Sequence, residues 1–435
     1  MERNMPTGVA ILGCGTVGSA VAEMLLNEKL LLKKRAGRSF DLRHILVRDP
    51  ARPRPGIPRR LLTTDAAKIL HDPQVHIVVE LMGGIEPAGT LIRQALSLGK
   101  RVVTANKHLL ALHGVDVFRA ARKAGSSVCF EASCGGAIPI VMALSRGLVA
   151  NDIDRIIGIV NGTCNYILTR MSDGQTYAQA LAEAQSAGFA EPDPTMDVRG
   201  TDSAHKLAIL AALAFGVQVP FEKIQIQGID SLDAVDLNYG RELGYVCKLL
   251  AIAEKINGYL SLRVHPAFVP RQHLLASVGG PFNAISVFGH ASGQTLYYGR
   301  GAGGRPTASA VVADIVDSAM GTADVLFREL PALAGRSPAR IMPPSAVVCR
   351  HYLRMQALDQ PGSMHRITGV LGKKGISLAA VAQHESRQDS YVPLVVMTHE
   401  AGDGAVTAAL RVLNRLNCVR GKVSHIRVID PAQAV

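Results

Sequence analysis

The chain has 435 residues, 48% hydrophobic and 4% aromatic, with no Trp and a formal net charge of +12. That length predicts two or three domains with sizeable cores, and Arg, Lys, Asp or Gly interrupts every apolar run before membrane-span length. Sparse aromatics and the lack of a helix-turn-helix, zinc-finger or RNA-binding signature weigh against nucleic acid despite the charge.

Residues 1–136 alternate short β-rich runs ("GVAILGCG", "FDLRHILVRD", "VHIVVELMGG", "KRVVTANK", "SSVCFEAS") with helical stretches. This rhythm predicts an α/β domain with a parallel sheet. The opening "MERNMPTGVAILGCG" lacks a signal-peptide pattern. Within it Gly13, Gly15, Thr16, Val17 and Gly18 belong to a G-x-G-x-x-G that ends a strand and opens a helix. Its glycines permit a tight turn and close approach of a pyrophosphate to the helix start, predicting a Rossmann-type dinucleotide-binding domain. At the end of the second strand Arg48 precedes Asp49. Arg there favours the 2′-phosphate of NADP, while Asp49 keeps NAD in play. A local basic patch surrounds the pair, with ten Lys or Arg against two Asp between Lys33 and Arg60. Phosphate binding accounts for the patch without nucleic acid; the plainer account is ordinary surface charge. Cys129 and Cys134 lack an accompanying His pair, which argues against zinc. Seven cysteines without a C-x-x-C motif fit a reducing, cytoplasmic setting.

Residues 137–334 carry longer helical patterns, "TYAQALAEAQSAG", "SAHKLAILAALAFG" and "GRELGYVCKLLAIAEKI", with strands expected at "YLSLRVHPAFV" and "AISVFGH". They predict an α+β domain. Here "EPDPTMDVRGTDSAHK" gathers Glu191, Asp193, Asp197 and Asp202 ahead of Lys206. Asp202 and Lys206 are four apart and share one helical face. The apolar run after Lys206 places its ammonium at a buried edge, and a buried lysine paired with a carboxylate can transfer protons near neutral pH. The bland alternative is an ordinary i,i+4 ion pair. "GRSPARIMPPS", residues 335–345, reads as a linker. Residues 346–435 then run β-α-β-β-α-β.

Taken in order, "ILGCGTVG", "VVTANK", "EASCGGAIP", "NGTCNYILTRM", "AGFAEPDPTMD", "DSAHKLAIL" and "GAGGRPTA" resemble homoserine dehydrogenase over essentially the whole chain. The last segment, with Asp359-Gln360-Pro361-Gly362, resembles a ferredoxin-like ACT regulatory domain. No aspartokinase-like half precedes the Rossmann segment, so the resemblance is to the monofunctional form. It implies interconversion of L-aspartate 4-semialdehyde and L-homoserine in threonine and methionine biosynthesis. It also implies substrate binding and oligomerisation for the α+β domain of residues 137–334. Lys206 would be the acid/base, Asp202 would hold and tune it, and Lys107 would polarise the carbonyl between cofactor and substrate. Glu191 would bind the substrate ammonium, with Asp197 near the polar end of the pocket. Gly188 and Gly303 would lie against the cofactor.

"EASCGGAIP" resembles the family's sodium loop, with ligands from Glu131, Cys134, Gly136 and Ile138, mostly backbone carbonyls; a plain Gly-rich turn is the alternative. The family also implies a homodimer or homotetramer and L-threonine as an effector at the ACT domain. Cys164, Phe189 and Pro192 depart from the residues common there, and Phe189 lacks a hydroxyl near the cofactor. Another amino-acid-linked dehydrogenase, or a non-catalytic sensor of dinucleotide and amino acid, would share the layout. A sensor has no need for Lys107, Glu191, Asp202 and Lys206 together.

Overall fold

Short, near-continuous apolar runs such as "TGVAIL" and "IVVE" suit strands covered on both faces, the environment of a parallel sheet. The structure, a computed structural model, describes residues 5–329, 338–383 and 390–429. Its contacts divide the chain into two units, each drawn from three stretches. The first comprises Met1–Ile156, Asp202–Ile224 and Phe282–Ala339, the second Ile157–Thr201, Gln225–Pro281 and Arg340–Val435. The expected linker 335–345 and the boundary at 334 fall partly on residues outside the described set.

In the first unit β1 (Thr7–Leu12), β2 (Phe40–Leu46), β3 (Leu62–Thr63), β4 (Ile77–Glu80), β5 (Arg101–Thr104) and β6 (Val128–Cys129) form a sheet of order β3-β2-β1-β4-β5-β6. Every pairing in it is parallel. The order reverses between β1 and β4, which opens a crevice beyond their carboxyl ends, the usual ligand position in such sheets. Helix Thr16–Asn27 leaves β1 at that crevice. Its Val21, Ala22 and Leu25 share one core cluster with Ala308, Val311, Val312 and Ile315 of helix Gly304–Met320. Fully burying a Val, Leu or Ile stabilises by roughly 1.5–3 kcal/mol, so this seam ties the nucleotide turn firmly to the "GAGG" run.

The second unit corrects one expectation. "YVCKLLAIAEKI", read as helical, is a strand over Tyr245–Ile256, and only Ala234–Glu242 before it is helix. Asn257 (φ 49°) and Gly258 (φ 80°) make a two-residue turn into the antiparallel strand Tyr259–Pro270. A turn with positive φ at both positions matches strand twist and fixes the hairpin register. Both strands are buried along most of their length. A continuous apolar run therefore hides the two-residue period that separates strand from helix.

The last segment is β-α-β-β-α-β as expected, with strands Val348–Leu358, Leu378–Gln383, Tyr391–Thr398 and Val419–Val428 and helices Ser363–Lys373 and Asp403–Leu413. The fourth strand lies beside the first, the first beside the third, and the third beside the second, the ferredoxin-like order. Its fourth strand also pairs in parallel with Tyr259–Pro270.

Candidate active site

At the nucleotide turn, Gly13 has φ +100°, and a Cβ there would come within 2.8 Å of Leu81 O. A Cβ on Gly18 would meet Gly13 O at 2.2 Å. The space at Gly15 is open: nothing lies within 4 Å of where its Cβ would stand. Two glycines therefore let the chain pack and the middle one keeps backbone accessible to a ligand. Helix Thr16–Asn27 starts with no side-chain cap, so its first N–H groups suit a pyrophosphate. Gly303, at φ +117°, precedes Gly304, whose Cβ would press on Thr16 Cγ2 at 3.2 Å. The two glycine runs thus meet. Arg48 is exposed just past β2. Asp49 Oδ1 accepts from Ala51 N at 2.8 Å, and Arg54 folds back onto the carbonyls of Asp49 and Arg52. These residues fit a dinucleotide.

The ends of β4 and β5 are braced. Thr104 Oγ1 donates to Glu80 Oε2 at 2.7 Å, and Glu80 Oε1 accepts from Met82 N and Gly83 N. Asn106 caps helix Lys107–Lys123 by accepting from Leu109 N, and its amide donates to Gly84 O. Lys107 is therefore projected from a fixed first turn. Its Nζ lies 3.0 Å from Asp202 Oδ1, with the side chain 39% exposed. Asp202 Oδ2 accepts from Lys206 Nζ at 2.7 Å, and both residues are buried on helix Thr201–Phe215. One carboxylate so holds two ammonium groups, one facing solvent and one enclosed. Cys134 Sγ reaches Lys206 O at 3.8 Å, and burial pushes that thiol up to about 12.

In the "EASCGGAIP" loop Glu131 accepts from Val141 N and Met142 N at 2.8 and 2.7 Å. Burial raises its carboxyl to about 7, while those two donors pull it down. Gly135 and Gly136 both have positive φ, and a Cβ on Gly136 would strike Gly301 at 2.5 Å. The loop is tight, and the oxygens it offers, the Glu131 carboxyl and backbone carbonyls, are hard donors. The protonated Cys134 thiol does not suit a soft metal.

Glu191, Asp197 and Gly188 belong to the second unit. Glu191 is exposed, and its carbonyl accepts from Gln185 Nε2. Asp197 Oδ1 accepts from Asn161 Nδ2 at 2.7 Å. Asn161 also caps helix Gly162–Ser172, and Cys164 Sγ donates to Asp197 O at 3.2 Å. Gly188, at φ +74°, follows the end of helix Tyr177–Ser186. The departing Phe189 packs its ring 4.8 Å from that of Tyr166. Asn161, which sequence reasoning did not single out, was signalled only by its place ahead of a helix in "NGTCN".

Three family models match the chain: "Homoserine dehydrogenase, NAD binding domain" over residues 13–131, "Homoserine dehydrogenase" over 139–316 and "ACT domain" over 351–415. The homoserine dehydrogenase of Pseudomonas aeruginosa is 41% identical, covering 97% of this chain and 99% of its own. The chain belongs to the homoserine dehydrogenase family. A homoserine dehydrogenase structure from Thiobacillus denitrificans superposes with a TM-score of 0.91 at 42% identity, covering 98% and 99% of the two chains. A hyperthermophilic archaeal homoserine dehydrogenase mutant, in complex with NADPH, covers 73% of this chain and 98% of its own with TM-score 0.62 and 26% identity. The sequence is thus that of an NAD(P)-dependent oxidoreductase with homoserine dehydrogenase activity, carrying a C-terminal ACT domain. Among the described residues no helix is long and apolar enough to cross a membrane.

Proposed function

We propose that Lys206 is the acid/base of this homoserine dehydrogenase, and that NADP is its preferred nucleotide. The observation that carries the first part is the single Asp202 carboxylate shared by Lys107 and Lys206. When bound, the nicotinamide supplies or accepts the hydride. Lys206 holds a proton on Nζ for the 4-semialdehyde oxygen and takes it back from homoserine in reverse. Asp202 keeps both ammonium groups oriented. Lys107, on its capped first turn, stabilises negative charge as it builds on that oxygen. Glu191 pairs with the substrate ammonium, and Asp197, steadied by Asn161, takes its polar end. Gly13, Gly15, Thr16, Val17 and Gly18 cradle the pyrophosphate, with Gly303 beside them, and Gly188 is a further cofactor-binding position.

Arg48, exposed past β2, reads the 2′-phosphate; the NADPH held by the archaeal relative supports the same nucleotide here. Residues Glu131, Cys134, Gly136 and Ile138 would hold sodium through oxygen donors as a structural ion. Seven free cysteines support a cytoplasmic setting. An amino-acid effector fits the ACT helix Ser363–Lys373, which begins at Gly362 (φ +90°) with no side-chain cap. There Ser363 Oγ is buried without a hydrogen-bond partner among the described residues. L-Threonine in a homodimer or homotetramer is the proposed case.

Steady-state oxidation of homoserine with NADP+ and NAD+ tests the reading. NADP+ should give the higher kcat/KM, and Arg48→Ala should weaken NADP+ far more than NAD+. Equal losses on both would remove Arg48 as the phosphate reader. Millimolar L-threonine should inhibit the full chain, and Gly362→Val should relieve it; no effect on activity or Tm would leave the ACT domain an assembly element.

A further inference from the structure

We infer that His205 is a positioning residue for this reaction: its ring, in contact with those of both His108 and Phe221, sets the spacing of the two lysine-bearing helices. The inference rests on the proposed roles of Lys107 and Lys206. His108 follows Lys107 at the start of helix Lys107–Lys123, and His205 precedes Lys206 on helix Thr201–Phe215. The two imidazole centroids lie 4.8 Å apart with planes tilted by 35°. His205 also stacks on Phe221, again at 4.8 Å and with 21° between planes. The three rings form a column of successive contacts in which His108 and His205 join the two helices, each one residue from a lysine of the pair. At its head Asp202 bridges Lys107 and Lys206 at 3.0 and 2.7 Å. Those two distances hold only while the helices keep one separation, and the ring column is the packing closest to them in sequence.

Neutrality makes the column usable. His205 is 2% exposed. Burial pushes its imidazole down to about 4, helped by His108, Lys107 and Lys206 and opposed by Asp202. It therefore stays uncharged at neutral pH. A third cation here would compete with both lysines for Asp202; a neutral ring supplies only area and shape. A histidine that merely filled the core would affect stability without discriminating turnover from binding.

The test uses His205→Ala and His205→Phe in the full chain. A misplacement of about 1 Å at a reacting group costs as much as about 100-fold in rate, so His205→Ala should lower kcat by about tenfold or more. Its KM values for homoserine and NADP+ should stay within about twofold, because groups that bind them are untouched. His205→Phe, which restores a ring but no titratable nitrogen, should recover kcat to within about threefold. Wild-type kcat in His205→Ala overturns the proposal, and so does a folded His205→Phe as slow as the alanine variant. Should either variant fail to fold, His108→Ala and His108→Phe decide by the same criteria from the other side of the column. If the unmodified chain does not oxidise homoserine, the reaction itself is misassigned; normal wild-type turnover with an insensitive His205 defeats only the column.

Discussion

Two buried aspartates, one in each unit, keep different kinds of partner. Asp202 is 6% exposed and Asp236 only 1%. Asp202 faces lysines, Lys107 and Lys206, whose ammonium groups are point charges that can release a proton. Asp236 faces Arg354, whose Nε and a terminal nitrogen donate at 2.6 and 3.0 Å, and the hydroxyls of Tyr352 and Ser424 at 2.9 and 2.8 Å. Arginine does not deprotonate in proteins, and the bond to Asp236 raises Arg354 further still. Burial, reinforced by Asp236, likewise raises the Tyr352 hydroxyl above its usual range. The second aspartate is a clamp that joins helix Ala234–Glu242 to the ACT sheet, with no proton free to move. On the proposed roles, the partner and not the buried carboxylate decides between chemistry and architecture.

Substitution should separate the two sharply. Lys206→Met should lower kcat by about 10²–10⁴-fold, the usual contribution of a positioned acid or base, while the melting temperature moves little. Near-normal turnover in a folded variant would strip Lys206 of its role and make the two sites alike. Asp236→Ala should act the other way. Removing one member of a buried ion pair costs about 3–5 kcal/mol because the remaining charge is stranded. Urea unfolding should show that loss, with kcat of the folded fraction preserved. The double variant Asp236→Leu/Arg354→Met, which strands no charge, should regain most of it. A single-variant loss under about 1 kcal/mol would show the clamp to be idle. The same clamp makes deletion of residues after 345 a poor probe of regulation, since it removes Arg354, Tyr352 and Ser424 from Asp236.

These two sites were unequally legible in the sequence. Asp202 and Lys206 are four apart on one helix, so their meeting follows from helical geometry alone. Gly13 to Gly18 likewise declare their turn, because strand, glycines and helix are contiguous. Lys107 lies 95 positions before Asp202, and only family resemblance linked them; no local period encodes that approach. Asp236 and Arg354 are farther apart still, separated by 118 positions. Nor does pattern show that Asp202–Ile224 groups with the nucleotide-binding unit while Gln225–Pro281 groups with the ACT segment. The misread strand Tyr245–Ile256 shares the cause: burial on both faces erases alternation, and Ala, Leu, Lys and Glu are good helix formers. The signal that could have found it was Asn257-Gly258 immediately after the run.

That strand also carries the gentlest test of the comparison. Lys248 is buried like Lys206, but its acceptors among the described residues are neutral, the carbonyl of Val278 and Asn165 Oδ1. Burial, weakly opposed by Cys247, pushes its ammonium down to about 8 from 10.5. Below pH 8 both folded and unfolded chains carry the charge, and the folded one bears the desolvation cost. Between 8 and 10.5 the folded chain sheds its proton first, so the unfolded state binds more protons and stability climbs with pH. At about 1.4 kcal/mol per pH unit, the gain is bounded near 3 kcal/mol. Lys248→Met removes the titration while keeping an unbranched side chain. The stability difference between wild type and this variant should therefore shift in favour of wild type as pH rises from 7 to 10, read as the separation of their urea midpoints. A difference that stays flat would mean that Lys248 keeps an ordinary affinity for its proton despite its burial.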